Sequence, residues 1–229
     1  MAAHGNEGRK IYEANCAACH GFDGGGHGPS SYPLKPKPLN LTKGVYKFRS
    51  TPPKKLPTDE DLMRTIRVGV PGTTMPAFGG LLTQEEMSAV VDYIKCFSER
   101  FQSETAETPI DIPAETPSDA ASVARGAKLY DEADCEECHG AKGRGDGPSS
   151  KDLTDQWGRP LRATDLTRRD YKGGPTPQDT YRTLMTGLDG TQMPSLGATT
   201  SPEEAWDLVH YLQSLQKKRG FFRRLFGTK

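Results

Sequence analysis

The feature that most restricts what this 229-residue chain can become is a five-residue pattern present twice, Cys16-Ala-Ala-Cys19-His20 and Cys135-Glu-Glu-Cys138-His139. Two thiols three positions apart, followed at once by an imidazole, form the attachment pattern of a c-type haem. The thiols add across the two porphyrin vinyl groups, and the next residue brings its ring under the iron. A redox dithiol or half of a zinc site shares the Cys-x-x-Cys core. Neither requires the histidine after it, or the Gly-rich loop that follows both copies. The two motifs use four of the five cysteines, so no disulfide framework is implied; Cys96 is left over.

The motifs belong to a longer internal repeat. Gly8 and Tyr12 match Gly126 and Tyr130, and Gly28-Pro-Ser-Ser31 matches Gly147-Pro-Ser-Ser150. Leu41-Thr42 and Tyr46-Lys47 match Leu166-Thr167 and Tyr171-Lys172 at a wider offset, so the second copy carries a longer loop before this point. Arg64, Gly69, Gly72, Thr73, Met75 and Pro76 match Arg182, Gly187, Gly190, Thr191, Met193 and Pro194. Each unit reads as helix, haem motif, loops, helix, Met loop, helix. Thr58-x-x-Asp61, Thr83-x-x-Glu86 and Ser201-x-x-Glu204 have the grammar of capped helix starts. Thr176-Pro177 and Ser201-Pro202 place a cap residue before a proline at the first helical position. Met87, Val90, Val91, Ile94 and Phe97, and Ala205, Leu208, Val209, Leu212 and Leu215, recur at helical spacing. The expected fold is all-α: a first domain over 1–102, a Pro/Thr/acid-rich, semi-extended linker over 103–119, a second domain over 120–216, and a basic aromatic tail over 217–229. Only 34% of residues are hydrophobic, against 25 Gly and 18 Pro. That is lean for two cores, and a haem in each half would complete them.

An iron held through one histidine needs a second axial ligand. Met75 and Met193 are the methionines that occupy matching positions, each in Gly-x-x-Met-Pro, 55 and 54 residues after His20 and His139. A thioether favours ferrous iron relative to a second imidazole, and the following proline stiffens the loop that presents it. Met63, Met87 and Met185 match non-methionines and are expected to pack. His27 and His210 match aspartates, and His4 is near the first residue, so none is expected as a ligand. Tyr46, Lys47, Arg49, Tyr171 and Lys172 are candidates for the haem propionates, which need donors and positive charge; Arg64 and Arg182 are weaker ones. Cys96, beside Phe97 late in a helix, is expected to be a half-buried thiol.

On these residues the chain resembles dihaem c-type cytochromes built from two class I cytochrome c domains. The resemblance implies that the first and last helices of each unit cross over a small residue beside an aromatic one, here Gly8/Tyr12 against Tyr93 and Gly126/Tyr130 against Tyr211. It also implies that a Met-Pro loop supplies the distal iron ligand.

The formal charge is zero overall but uneven: +3 over residues 1–102, five acids without a base over 103–124, −4 over 125–216, and +6 over 217–229. No nucleic-acid surface is indicated. The tail, with Phe221, Phe222, Leu225 and Phe226, suits peripheral contact with an anionic membrane or a membrane complex. The polar first residues are not an export signal. Because covalent haem attachment in the resembling families takes place outside the cytoplasmic membrane, a periplasmic protein whose signal is not in this sequence is expected.

Two six-coordinate His/Met haems leave no open iron position, and no nucleophile or base constellation is visible. The expected function is single-electron transfer between redox protein partners of a respiratory chain, as a shuttle or as a subunit of a complex, rather than enzymatic catalysis. A dihaem peroxidase would need one haem without its methionine, and a haem-based sensor would need a displaceable one.

Overall fold

A computed structural model describes residues 2–216; the tail, with its expected membrane contact, lies outside the described residues. Six longer helices, three in each half, carry the described fold: α1 (Ala2–Asn15), α2 (Asp59–Val68), α3 (Gln84–Lys95), α4 (Ala120–Glu132), α5 (Pro177–Thr186) and α6 (Pro202–Leu215). Among the described residues the only extended pairing is an isolated bridge between Thr154 and Pro160.

The starts follow from the caps. Thr58, Thr83, Thr176 and Ser201 each accept a hydrogen bond from the backbone N–H three residues on, and the acid there reaches back to the cap N–H. This satisfies donors that a helix end otherwise leaves open. Asp119, with Ser122, caps α4 in the same way, although the sequence reading did not single it out.

In each half the first helix packs on the last, α1 on α3 and α4 on α6. A Cβ added at Gly8 would run into the carbonyl oxygen of Ala89, and one at Gly126 into that of Asp207. Glycine is therefore the residue that lets the backbones touch. Beside these points Tyr12 meets Tyr93 with ring centroids 5.4 Å apart, and Tyr130 meets Tyr211 at 5.3 Å. Tyr12, Leu62, Ile66, Val90, Val91 and Ile94 belong to the first core, and Tyr130, Tyr181, Leu184, Trp206, Leu208 and Val209 to the second.

The halves are joined by more than the linker. Arg49, fully buried, donates from Nη2 to Asp189 Oδ1 at 2.8 Å and to the Thr186 carbonyl at 3.0 Å. Among the described residues its Nε and Nη1 find no hydrogen-bond partner, so these two contacts are the ones that hold its head group. The other oxygen of Asp189 accepts from the Lys54 N–H at 2.9 Å. Arg64 reaches Asp179 at 3.5 Å, the same carboxylate that Arg182 holds at 2.6 Å. Residues 104–119 have neither helix nor strand, yet they are anchored to both halves. Ile110 donates its N–H to the Ser50 carbonyl at 2.8 Å, Ile112 packs on the second core, and Glu115 lies 3.5 Å from the buried His210.

Gly126→Ala is expected to cost about 1–3 kcal/mol or more, because the new methyl forces α4 off α6. Denaturant unfolding checks this: the midpoint should fall, whereas Ala127→Ser, one position along the same helix, should leave it nearly unchanged.

Candidate functional site

Each Cys-x-x-Cys-His motif is a single helical turn, Ala17–His20 and Cys135–His139, ended by a glycine with positive φ, Gly21 and Gly140. The turn is tied to the first helix of its half: Tyr12 donates its hydroxyl to the Gly21 carbonyl at 2.7 Å, and Tyr130 to that of Gly140 at 2.8 Å. His20 Nδ1 lies 3.1 Å from the Leu39 carbonyl, and His139 Nδ1 lies 2.9 Å from that of Thr164. A carbonyl can only accept, so Nδ1 carries the proton and Nε2 is left to ligate a metal. Burial lowers both imidazole pKa values, which keeps the rings in the neutral, ligating form. Burial also pushes the Cys16 and Cys135 thiols up to about 11.

The Met loops are duplicated bond for bond. Val70 N–H donates to the Met75 carbonyl at 3.1 Å, and Leu188 N–H to that of Met193 at 3.2 Å. The Thr73 hydroxyl donates to the Val70 carbonyl at 2.8 Å and accepts the Met75 N–H at 3.1 Å. Thr191 does the same with Leu188 and Met193, at 2.7 and 3.1 Å. Gly69 and Gly187 end α2 and α5 with φ of 66° and 67°, where a side chain would strike the Met-Pro backbone. The repeated glycine and threonine are thus the frame that presents the methionine.

These parts converge on two cavities. The first, of about 240 Å³, is lined by Cys16, Cys19, His20 and Met75; the second, of about 480 Å³, by Cys135, Cys138, His139 and Met193. The remaining walls are mostly aliphatic and aromatic, among them Leu62, Ile66 and Phe78 in the first and Leu184, Leu208 and Leu212 in the second. Among the described residues no three or more His, Cys, Asp or Glu side chains are grouped to hold a bare metal ion, so the zinc reading finds no ligand set. Two thiols, an imidazole and a thioether around an apolar cavity match the donor set of a c-type haem. Tyr46 lines the first cavity, and among the described residues its buried hydroxyl has no hydrogen-bond partner, a donor left over for a carboxylate.

The propionate candidates divide. Tyr46 lines the first cavity, Tyr171 the second, and Lys47 and Lys172 line both. Tyr171 donates its hydroxyl to the Leu166 carbonyl at 2.7 Å. Arg49 lines neither cavity; Asp189 and the Thr186 carbonyl draw it into the contact between the halves. Arg64 and Arg182 likewise converge on Asp179 and line neither. Met63 and Met87 are buried in the first core and Met185 packs on the second. His27 is on the surface, 3.4 Å from Asp23, and buried His210 meets the Ser122 hydroxyl at 3.0 Å. Cys96 is exposed rather than half-buried: it caps α3, where its Sγ faces the Asp92 carbonyl at 3.4 Å.

Sequence reasoning missed one part of the site. Asp155, Trp157, Arg159 and Leu161 of the second half line the cavity of the first. Their signal is the longer loop of the second copy between the Pro-Ser-Ser and Leu-Thr matches.

Comparison with known proteins agrees with this geometry. Residues 3–94 match the family described as cytochrome c oxidase, cbb3-type, subunit III, and residues 123–216 match the family described as cytochrome c. The solved structure of the Kuenenia stuttgartiensis reducing HAO-like protein complex Kustc0457/Kustc0458 contains a chain 44% identical to this one. The match covers 92% of this chain and 96% of that one, with a TM-score of 0.90. The chain belongs to the dihaem c-type cytochromes. The cbb3-type cytochrome c oxidase subunit CcoP of Azospirillum sp. (strain B510) is 31% identical over 60% of this chain, and subunit FixP of Azorhizobium caulinodans is 26% identical over 91%. The chain spans 40% of the length of that CcoP and 59% of that FixP. Two covalent haems are therefore the cofactors of this dihaem cytochrome.

Met75→His and Met193→His should each lower the potential of one haem by a sizeable part of the roughly 0.8 V that axial ligands span. Spectroelectrochemical titration checks this; the haem of the unmutated half should stay near its original value.

Proposed function

We propose that this dihaem cytochrome passes single electrons between redox proteins as the cytochrome subunit of an oxidoreductase complex outside the cytoplasmic membrane, without a catalytic centre of its own. The observation that carries the proposal is the duplicated ligand set: each cavity holds a histidine fixed through Nδ1 and a methionine on a threonine-braced loop. A c-type haem bound by such a pair supplies a one-electron iron(III)/iron(II) couple. The chain does the rest. The cysteines hold the porphyrin, the aliphatic walls exclude water, and the braced loops leave no coordination position for a substrate. The relatives CcoP and FixP are subunits of cbb3-type cytochrome c oxidases and the solved structure is of a HAO-like protein complex, which supports a subunit more than a free enzyme.

No helix among the described residues is long and apolar enough to cross a membrane. Residues 217–229, with charge +6, are proposed to give salt-sensitive peripheral contact with an anionic membrane or a membrane complex.

Intact mass after denaturation should exceed the polypeptide mass by two haems. The ferric spectrum should be low-spin, with a Met–iron charge-transfer band from both centres. One haem only, or high-spin signal from one centre at rest, would point instead to an enzyme or a sensor. Deleting residues 217–229 should preserve both spectra and reduce co-sedimentation with anionic vesicles at low salt; equal sedimentation of the two forms would remove the tail from the proposal.

A further inference from the structure

The two cavities share a wall. Lys47 and Phe48 of the first half and Leu161 and Lys172 of the second line both. The second half also sends a loop across the first cavity. Asp155 N–H and Leu161 N–H donate to the Arg159 and Leu153 carbonyls, each at 2.8 Å, while Asp155 Oδ1 accepts the Trp157 and Arg159 N–H groups, each at 2.9 Å. The loop sets Arg159 beside the shared wall, with its guanidinium over the Trp157 ring.

The charges gathered here do not balance. Lys47 and Lys172 are half-buried, and among the described residues neither ammonium is hydrogen-bonded or ion-paired. Burial lowers the Lys47 pKa; Lys172 and Arg159 push it further down, and Asp155 is the acid that opposes them. Asp155 already serves its own loop. Of the other acids, Asp179 is taken by Arg182 and Arg64, and Asp134 sits at the cysteine end of the second cavity, next to Cys135. Lys47, Lys172 and Arg159 thus face one carboxylate, Asp155, while Lys37, held by the Ser31 and Tyr32 carbonyls, lines the first cavity and Arg162 the second; such an excess of cations in a half-buried wall is costly unless anions join it.

We propose that Lys47 and Lys172 each serve the propionates of both haems, so that one cation cluster between the domains, completed by Arg159, sets the potentials of the two centres together. This deepens the carrier reading and rests on it. A cation beside a propionate favours the reduced, more negative state of the nearby haem, and a wall common to both cavities extends that effect to both. A lysine that served only its own domain would act on one haem.

The experiment is spectroelectrochemical titration of the holoprotein across a range of pH, on wild type, Lys47→Gln, Lys172→Gln, the charge-retaining Lys47→Arg and Lys172→Arg, and the surface control Lys43→Gln. Each Gln variant should lower both midpoint potentials. It should also move the pH dependence of both toward higher pH, as propionates that lose their partner bind protons more readily. The Arg variants should restore wild-type behaviour, and Lys43→Gln should change neither haem. A shift confined to the haem of the mutated domain, or no shift, overturns the proposal while the carrier reading stands, provided both centres keep the Met–iron band. Absence of a second covalent haem in wild type would overturn the carrier reading itself.

Discussion

Everything in each half depends on the contact between its first and last helices. The glycine at the crossing lets the backbones touch, and that closeness puts Tyr12 and Tyr130 where their hydroxyls reach the carbonyl that ends the Cys-x-x-Cys-His turn. The crossing therefore does more than seal a core. It fixes the turn that carries the thiols and the histidine, and through it the cavity wall from which a porphyrin would hang. The third helix, α2 or α5, closes the opposite side and hands the chain to the Met loop through a left-handed glycine. Three short helices suffice because the central volume of each half is a cofactor site rather than packed side chains.

Much of this was legible in the sequence because the repeat supplied its own control. The repeat separates ligand candidates by whether the other half needs them, and Met75 and Met193 sit on loops braced by matching threonines. Helix starts were legible because capping is local chemistry: Thr58, Thr83, Thr176 and Ser201 act within three residues of themselves. What could not be read was relation between halves. Arg49 belongs to a stretch that faces a haem site by sequence, but its partners Thr186 and Asp189 lie more than 130 positions away. Tyr171 and Tyr46 are equivalent in sequence, yet one hydroxyl is spent on Leu166 and the other has no partner among the described residues. The neighbours of Cys96 in sequence point to a half-buried thiol, but its place at a helix end leaves it open to solvent.

The linker shows a similar gap between composition and structure. A stretch rich in threonine, proline and acid reads as a semi-extended linker, with no contacts legible in it. Here its backbone bonds to Ser50, its Ile112 enters the second core, and its Glu115 approaches His210. Together with the Arg49–Asp189 and Arg64–Asp179 contacts, it leaves little freedom for one half to turn against the other. A fixed arrangement suits a relay whose two stations must hold a constant separation.

The loop from Leu153 to Leu161 gives the duplication a direction. The second copy is the longer one over this stretch, yet its side chains finish the cavity of the first. The first copy gives less in return, Lys47 and Phe48, to the second. The two copies are thus no longer interchangeable parts. A gene fusion that kept the first copy and replaced the second with another cytochrome would strip away part of a pocket it never touched. A change within residues 153–161 therefore reaches the wall of the first cavity, more than 130 positions from the Cys16–His20 motif.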